Sequence, residues 1–101
     1  MNLLKTEVFD KWLKKLKDRQ AKAIIQVHLN RLIENKFGKI KPIIDGVYEK
    51  KINYGPGYRI YFMRFDQNII ILLCGGDKST QKNDIKQAKN LIKDVEKEMK
   101  E

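Results

Sequence analysis

The sequence predicts an α+β domain built as a strand, a two-helix hairpin, a three-stranded antiparallel meander and a closing helix. Three observations predict it. Residues 58–65 and 69–74 are dominated by β-branched, aromatic and aliphatic side chains, and the polar break Asp66-Gln67-Asn68 between them reads as a hairpin loop. Apolar residues recur at helical spacing in the stretches on either side of that hairpin. A chain of 101 residues has room for one real core but not for two, so a single domain over 1–101 is expected.

Taken in order, Asn2 to Lys5 is a short candidate strand, and Thr6 can cap the helix that follows. In that helix Phe9, Trp12, Leu13 and Leu16 fall at i, i+3, i+4 and i+7, which gathers them on one stripe. Asp18 is a suitable N-cap for a second helix reaching about Asn35, with Ala21, Ile24, Ile25, His28, Leu32 and Ile33 inward and Gly38 as the stop signal. Phe37 to Gly46 reads as a loop, in which Pro42 biases Lys41 toward extended geometry and Asp45-Gly46 marks a turn. Val47 to about Asn53 is the next strand, and Tyr54-Gly55-Pro56-Gly57 carries turn chemistry.

The strand from Tyr58 to Phe65 sends alternate side chains to opposite faces. Tyr58, Ile60, Phe62 and Arg64 share one face, while Arg59, Tyr61, Met63 and Phe65 share the other. The unbroken apolar run Ile69 to Cys74 is the pattern of a strand buried on both sides. At Gly75 a loop is expected to open toward the last helix, capped by Ser79 or Thr80 and running from about Gln81 to Lys100. Its buried stripe is Ile85, Ala88, Leu91, Ile92, Val95 and Met99, and its outer face carries Lys82, Lys86, Lys89, Lys93 and Lys97. The meander connections are too short for a crossover, so its strands pair antiparallel. With the helical hairpin on one sheet face, the face bearing Arg59, Tyr61 and Met63 is expected to stand partly open.

Composition narrows the chemistry. Against 13 Asp and Glu stand 22 Lys and Arg, a net charge of +9 that favours polyanions or acidic partners. Eighteen of the 22 are Lys, as A/T-rich coding alone would produce, so the four arginines are the more informative cations. Arg59 and Arg64 lie on the central strand, and a planar guanidinium can hold a phosphate bidentately where an ammonium cannot. The single cysteine, Cys74, excludes an internal disulfide and reads as a small buried hydrophobe suited to a reducing compartment. No apolar run reaches the length of a membrane span, and Met1 to Lys17 is too charged for a signal peptide, so a cytoplasmic location is expected.

One cysteine, one histidine and no convergent carboxylate pair leave metal chemistry without ligands, and no metal or other cofactor is expected. Gly75-Gly76-Asp77-Lys78 lacks the length and context of a phosphate-binding loop. His28 lies on an apolar helix face as a packing residue, which removes a Ser-His-Asp system. What remains is Lys, Arg and Tyr on one sheet face. Such groups can hold a phosphodiester and offset the charge of a pentacovalent phosphate, so metal-free RNA cleavage is chemically feasible. Aromatic rings among the cations can also stack an unpaired base.

The runs Tyr54-Gly55-Pro56-Gly57-Tyr58-Arg59 and Cys74-Gly75-Gly76-Asp77-Lys78-Ser79-Thr80-Gln81, followed by Asp84-Ile85 and Ala88, resemble the HigB-like branch of the RelE/ParE toxin superfamily, the addiction-module killer proteins. Phe9, Trp12-Leu13, Asp18-Arg19 and Ala21 extend the likeness over nearly the whole chain. The resemblance implies a RelE-like fold and the toxin of a bacterial type II toxin-antitoxin pair. It also implies an endoribonuclease that cuts messenger RNA on the ribosome without metal or cofactor, blocked by a cognate antitoxin of helix-turn-helix type. Carried onto this sequence, Arg59 matches the arginine that stabilises transition-state charge. Lys51 falls near the family's basic strand positions, and Lys78 lies where a basic residue meets phosphate or leaving group. The tyrosine that RelE places near the start of its C-terminal helix has no counterpart, since Asp84 or Ile85 falls there, and Tyr61 or Tyr54 are the substitutes for a general base. Tyr54, Arg64, Lys50 and Lys82 are the expected RNA contacts. Two other functions stay open, a ParE-like DNA gyrase inhibitor and a noncatalytic basic module that docks an acidic partner.

Overall fold

The computed structural model describes residues 1–99. The N-terminal strand β1 (Asn2–Lys5) is followed by helices α1 (Glu7–Lys15) and α2 (Arg19–Ile33). Four strands come next, β2 (Lys41–Ile44), β3 (Val47–Ile52), β4 (Tyr58–Asp66) and β5 (Ile69–Gly76), and then helix α3 (Gln81–Met99). The five strands form one sheet in the order β1-β5-β4-β3-β2, with β1 parallel to β5 and the other pairings antiparallel. The α+β architecture is therefore the expected one, enlarged by a strand.

That extra strand lies where the sequence reads as a loop. Its Pro42 cannot donate to a ladder, and β2 sits at the sheet edge, where such a residue is tolerated. Asp45 and Gly46 close the β2–β3 hairpin with φ of 49° and 87°, the left-handed pair that a two-residue turn of matching twist requires.

Local capping follows the side chains foreseen at two helices and departs from them at two ends. Thr6 accepts from Phe9 N at 3.1 Å, and Asp18 accepts from Gln20 N and Ala21 N. Helix α2 stops at Ile33, two residues short of the expected Asn35, because Asn35 rather than Gly38 supplies the stop: it turns left-handed at φ 64°, and the amides of Asn35 and Lys36 return to Leu32 O and Arg31 O. Ahead of α3, Asp77 takes the capping role expected of Ser79 or Thr80; it heads a short 3-10 turn over Lys78–Thr80 and accepts from Ser79 N at 2.8 Å. The expected last helical residue, Lys100, lies outside the described residues.

Two cores form, one on each sheet face. Phe9, Ala21, Ile25, Leu29 and Leu32 from α1 and α2 pack against Ile52, Tyr58, Ile60, Phe62, Ile70 and Leu72. Leu29 replaces Ile33 on the inward side of α2, and Ile33 is exposed, since the 3.6-residue period carries the stripe from Ile25 to Leu29 and Leu32. On the opposite face Ala88 and Ile92 of α3 cover Val47, Tyr61, Met63, Ile71, Leu73 and Cys74. The face expected to stand partly open is crossed by α3, which buries Tyr61 fully and Met63 nearly so and leaves a hollow only on its flank, at Arg59.

Strand β5 also runs two residues further than expected, through Gly75 and Gly76. The reason is close approach. A β-carbon on Gly75 would collide with the Trp12 ring, and one on Gly76 with Asp84 and Thr80.

Cys74 is buried as expected, its Sγ 3.4 Å from Asp84 O. Burial, and secondarily the Asp84 carboxylate, push its thiol up to about 12. Modification by a disulfide reagent at pH 8 should therefore run on the order of 10²-fold slower or more in the native protein than in urea. Equal rates would place the thiol at the surface.

Candidate active site

Beside α3, on the flank toward β2 and β3, the sheet leaves a hollow of about 480 Å³ lined by Lys39, Lys41, Glu49, Lys51, Asn53, Arg59 and Gln81. Strand register builds it. Lys51 pairs with Arg59, Glu49 pairs with Tyr61, and Lys41 pairs with Glu49, so residues from three adjacent strands reach the same face. Gln81 enters from the first turn of α3.

Arg59 is not the freely exposed guanidinium that the sequence suggests. It is 6% exposed, with one terminal nitrogen donating to Gly57 O at 2.9 Å. Its Nε–H is buried with no acceptor in bonding range, the nearest anion being Glu49 Oε2 at 3.7 Å. A buried donor without a partner costs free energy, and here it belongs to the one residue that also lines a cationic hollow with three lysines.

Glu49 is the residue that sequence reasoning missed. Its Oε2 accepts from the Tyr61 hydroxyl at 3.0 Å and from Gln81 Nε2 at 2.9 Å. Among the described residues no hydrogen bond falls on Oε1. Period-2 alternation along β3 places Glu49 and Lys51 on one face, which was the available signal. Lys39 and Lys41 carried no such signal, because the segment that holds them, Lys39 ahead of β2 and Lys41 at its start, reads as a loop.

Tyr61 lies beneath this hollow and not in it. Burial first, and the hydrogen bond to Glu49 second, raise its pKa far above that of a free phenol. It stays protonated and donates, so the role of general base expected of it does not suit its position.

The other expected site residues are scattered. Tyr54 packs against the helical layer and donates its hydroxyl to Asp18 Oδ2 at 3.2 Å. Lys50 points to the opposite sheet face from Lys51, is 5% exposed, and donates to Phe37 O at 2.7 Å. The Arg64 guanidinium stands 4.9 Å over the Phe37 ring at the far end of β4. Lys78 is exposed in the 3-10 turn two residues beyond Gly76, the β5 partner of Arg59, and Lys82 is exposed on the first turn of α3. Of the eight, only Arg59 and Lys51 line the hollow.

His28 sits in the neighbourhood of Lys50 with its Nδ1 buried and unpartnered. Burial, then the charges of Lys50 and Arg31, lower its pKa below 6.5. The unfolded chain then binds the proton more readily, so stability contributed by neutral His28 is complete above pH 6.5 and declines as pH falls through the window below it. Denaturant midpoints measured from pH 7.5 to 5 should fall for the native chain and fall less for His28→Gln; parallel curves would clear His28 of the effect.

Among the described residues no cluster of His, Cys, Asp and Glu could hold a metal ion, and no helix is long and apolar enough to cross a membrane. A five-stranded sheet with two helices on one face and one on the other is consistent with the RelE-like α+β fold. Within that class, the chain belongs to the family described as Phage derived protein Gp49-like (DUF891), whose model matches residues 7–100. The family is associated with RelE-like toxin-antitoxin modules. The chain is 50% identical over 90 residues to an uncharacterized protein of Haemophilus influenzae, covering 89% of its own length and 91% of that relative. No solved structure matches it.

Proposed function

We propose that this chain is a toxin of the HigB-like branch of the RelE/ParE superfamily, acting as a metal-independent endoribonuclease on ribosome-bound messenger RNA and held in check by a cognate antitoxin. The observation that carries the reading is the pairing of buried Arg59 with Glu49 on the floor of a hollow rimmed by Lys39, Lys41 and Lys51. The lysines attract and seat the ribose-phosphate chain. Glu49, its Oε2 held by Tyr61 and Gln81, takes the 2′-hydroxyl proton on Oε1 as that oxygen attacks the adjacent phosphorus. Arg59, which lines the hollow, offsets with its guanidinium the charge that gathers on the phosphoryl oxygens. The 5′-oxygen leaves and takes a proton from a rim lysine, giving a 2′,3′-cyclic phosphate and a 5′-hydroxyl. Each group acts at its own atom, and no metal enters the scheme.

Expression in bacterial cells, with RNA 5′ ends mapped across translated messages, tests this directly. New 5′-hydroxyl ends inside translated regions, lost when translation is blocked, are expected. DNA breaks with intact messages would assign the chain to the gyrase inhibitors. Growth arrest with neither lesion would leave a noncatalytic binding module.

A further inference from the structure

On the sheet face opposite the cationic hollow, Lys50 of β3 is buried without a counter-ion. It is 5% exposed, and its ammonium gives Phe37 O, at 2.7 Å, one of the three hydrogen bonds it can donate. A peptide carbonyl satisfies that donor but leaves a full positive charge uncompensated where water is largely shut out. More positive charge gathers around it. Arg31, exposed on the last turn of α2, and Lys50 itself both act on His28, whose Nδ1 is buried and unpartnered. The exposed Arg64 guanidinium stands over the Phe37 ring, and among the described residues no ion pair engages Arg31, Lys50 or Arg64. Glu34, at the end of α2, is taken by Lys36. Burial, then Arg31, lowers the Lys50 pKa, and burial, then Lys50 and Arg31, lowers that of His28. There is also an approach. An atom placed where a β-carbon of the exposed Gly38 would sit lies 3.4 Å from Lys50 Nζ and, outside Gly38 and its chain neighbours, within 4 Å of no other heavy atom.

We propose that Lys50, Arg31 and His28 form a binding site for a tetrahedral dianion, a phosphate that arrives free or as the terminal group of a nucleotide. The two remaining Lys50 donors and the planar fork of Arg31 match an ion with several oxygens, and their two charges, with Arg64 beyond, match more than the single charge of a carboxylate or a phosphodiester. His28 completes the site. Negative charge beside its ring favours the imidazolium, whose Nδ1–H then has an acceptor. Binding therefore takes up a proton and tightens as pH falls. The charges bearing on His28 are Arg31 from its own helix and Lys50 from β3, both positive, so the incoming anion is what reverses their effect. The site stands apart from the nuclease reading, since Lys50 and Lys51 point to opposite faces of the sheet.

The test titrates the full chain, ¹⁵N-labelled, with sodium sulfate against sodium chloride at matched ionic strength. Sulfate serves for the pH series because it stays a dianion where phosphate changes charge. Saturable amide shifts centred on Phe37, Gly38 and Lys50 are expected, and saturating sulfate should raise the midpoint of the His28 ring titration by about one pH unit. Affinity should accordingly rise by up to about tenfold between pH 7.5 and 5. Arg31→Gln, at an exposed position, should weaken binding about tenfold, Lys50→Met should abolish it, and His28→Gln should leave binding that no longer varies with pH. Inorganic phosphate and a nucleoside 5′-monophosphate are then compared at pH 7.5. Tighter binding of the first assigns the site to the free ion, and of the second to a terminal phosphate. A response that chloride reproduces, shifts confined to Lys41, Lys51 and Arg59, an unmoved His28 titration, or undiminished binding by folded Arg31→Gln would each overturn the proposal.

Discussion

Arg59→Ala should lower the rate of message cleavage by about 10² to 10³-fold, the loss of roughly 2–4 kcal/mol that follows removal of one preorganised charge donor at a transition state. Its burial makes the experiment two-sided. The guanidinium also donates to Gly57 O and neighbours Glu49, so its removal leaves Gly57 O without that donor and Glu49 without its nearest cation. That should cost about 1–3 kcal/mol of stability. Cleavage must accordingly be measured where circular dichroism shows the variant folded. Arg59→Lys, which keeps a cation but not the planar fork, should recover much of the stability and little of the activity. A folded Arg59→Ala that still cleaves within about threefold of the native rate would remove Arg59 from the chemistry and the nuclease reading with it.

Gly75→Ala is expected to be among the most destabilising single substitutions in the chain. The added methyl enters the space of the Trp12 ring. That ring cannot easily yield, being packed against Phe9 at 5.6 Å and Tyr58 at 6.3 Å between centroids. Overpacking of this kind costs about 3 kcal/mol at the upper end of its usual range, on the order of 15 °C in Tm for a domain of this size. Trimming the ring should restore part of it. In a double-mutant cycle, Gly75→Ala combined with Trp12→Leu should be less destabilised than the sum of the two, by 1 kcal/mol or more. Strict additivity would show that Trp12 and Gly75 do not contend for the same space.

Both predictions concern residues that the sequence singled out, Arg59 for its charge and Gly75 as the start of a loop. Arg59 was legible as a functional cation because it is one of four arginines and sits on the central strand. Its partner was not, because Glu49 looks like any carboxylate on a half-buried strand until the register sets it against Tyr61 and brings Gln81 across from α3. Lys50 and Lys51 are adjacent and chemically identical, yet one is buried against Phe37 O and the other lines the hollow. Strand alternation separates them, but only the fold says which face holds the hollow.

The sequence by itself determined the helices, their caps at Thr6 and Asp18, the central hairpin, the basic balance and the likeness to a toxin superfamily. Those properties are local, residing in side-chain period, turn chemistry and charge count, and they do not depend on what lies across the molecule. Tertiary structure alone decided that α3 closes over Tyr61, that Lys41 joins an added edge strand with Lys39 just ahead of it, and that a cationic hollow is left beside α3. Each of those outcomes follows from contacts between segments distant in the chain, where the width of one helix against a five-stranded sheet selects what is buried and what is left for a ligand.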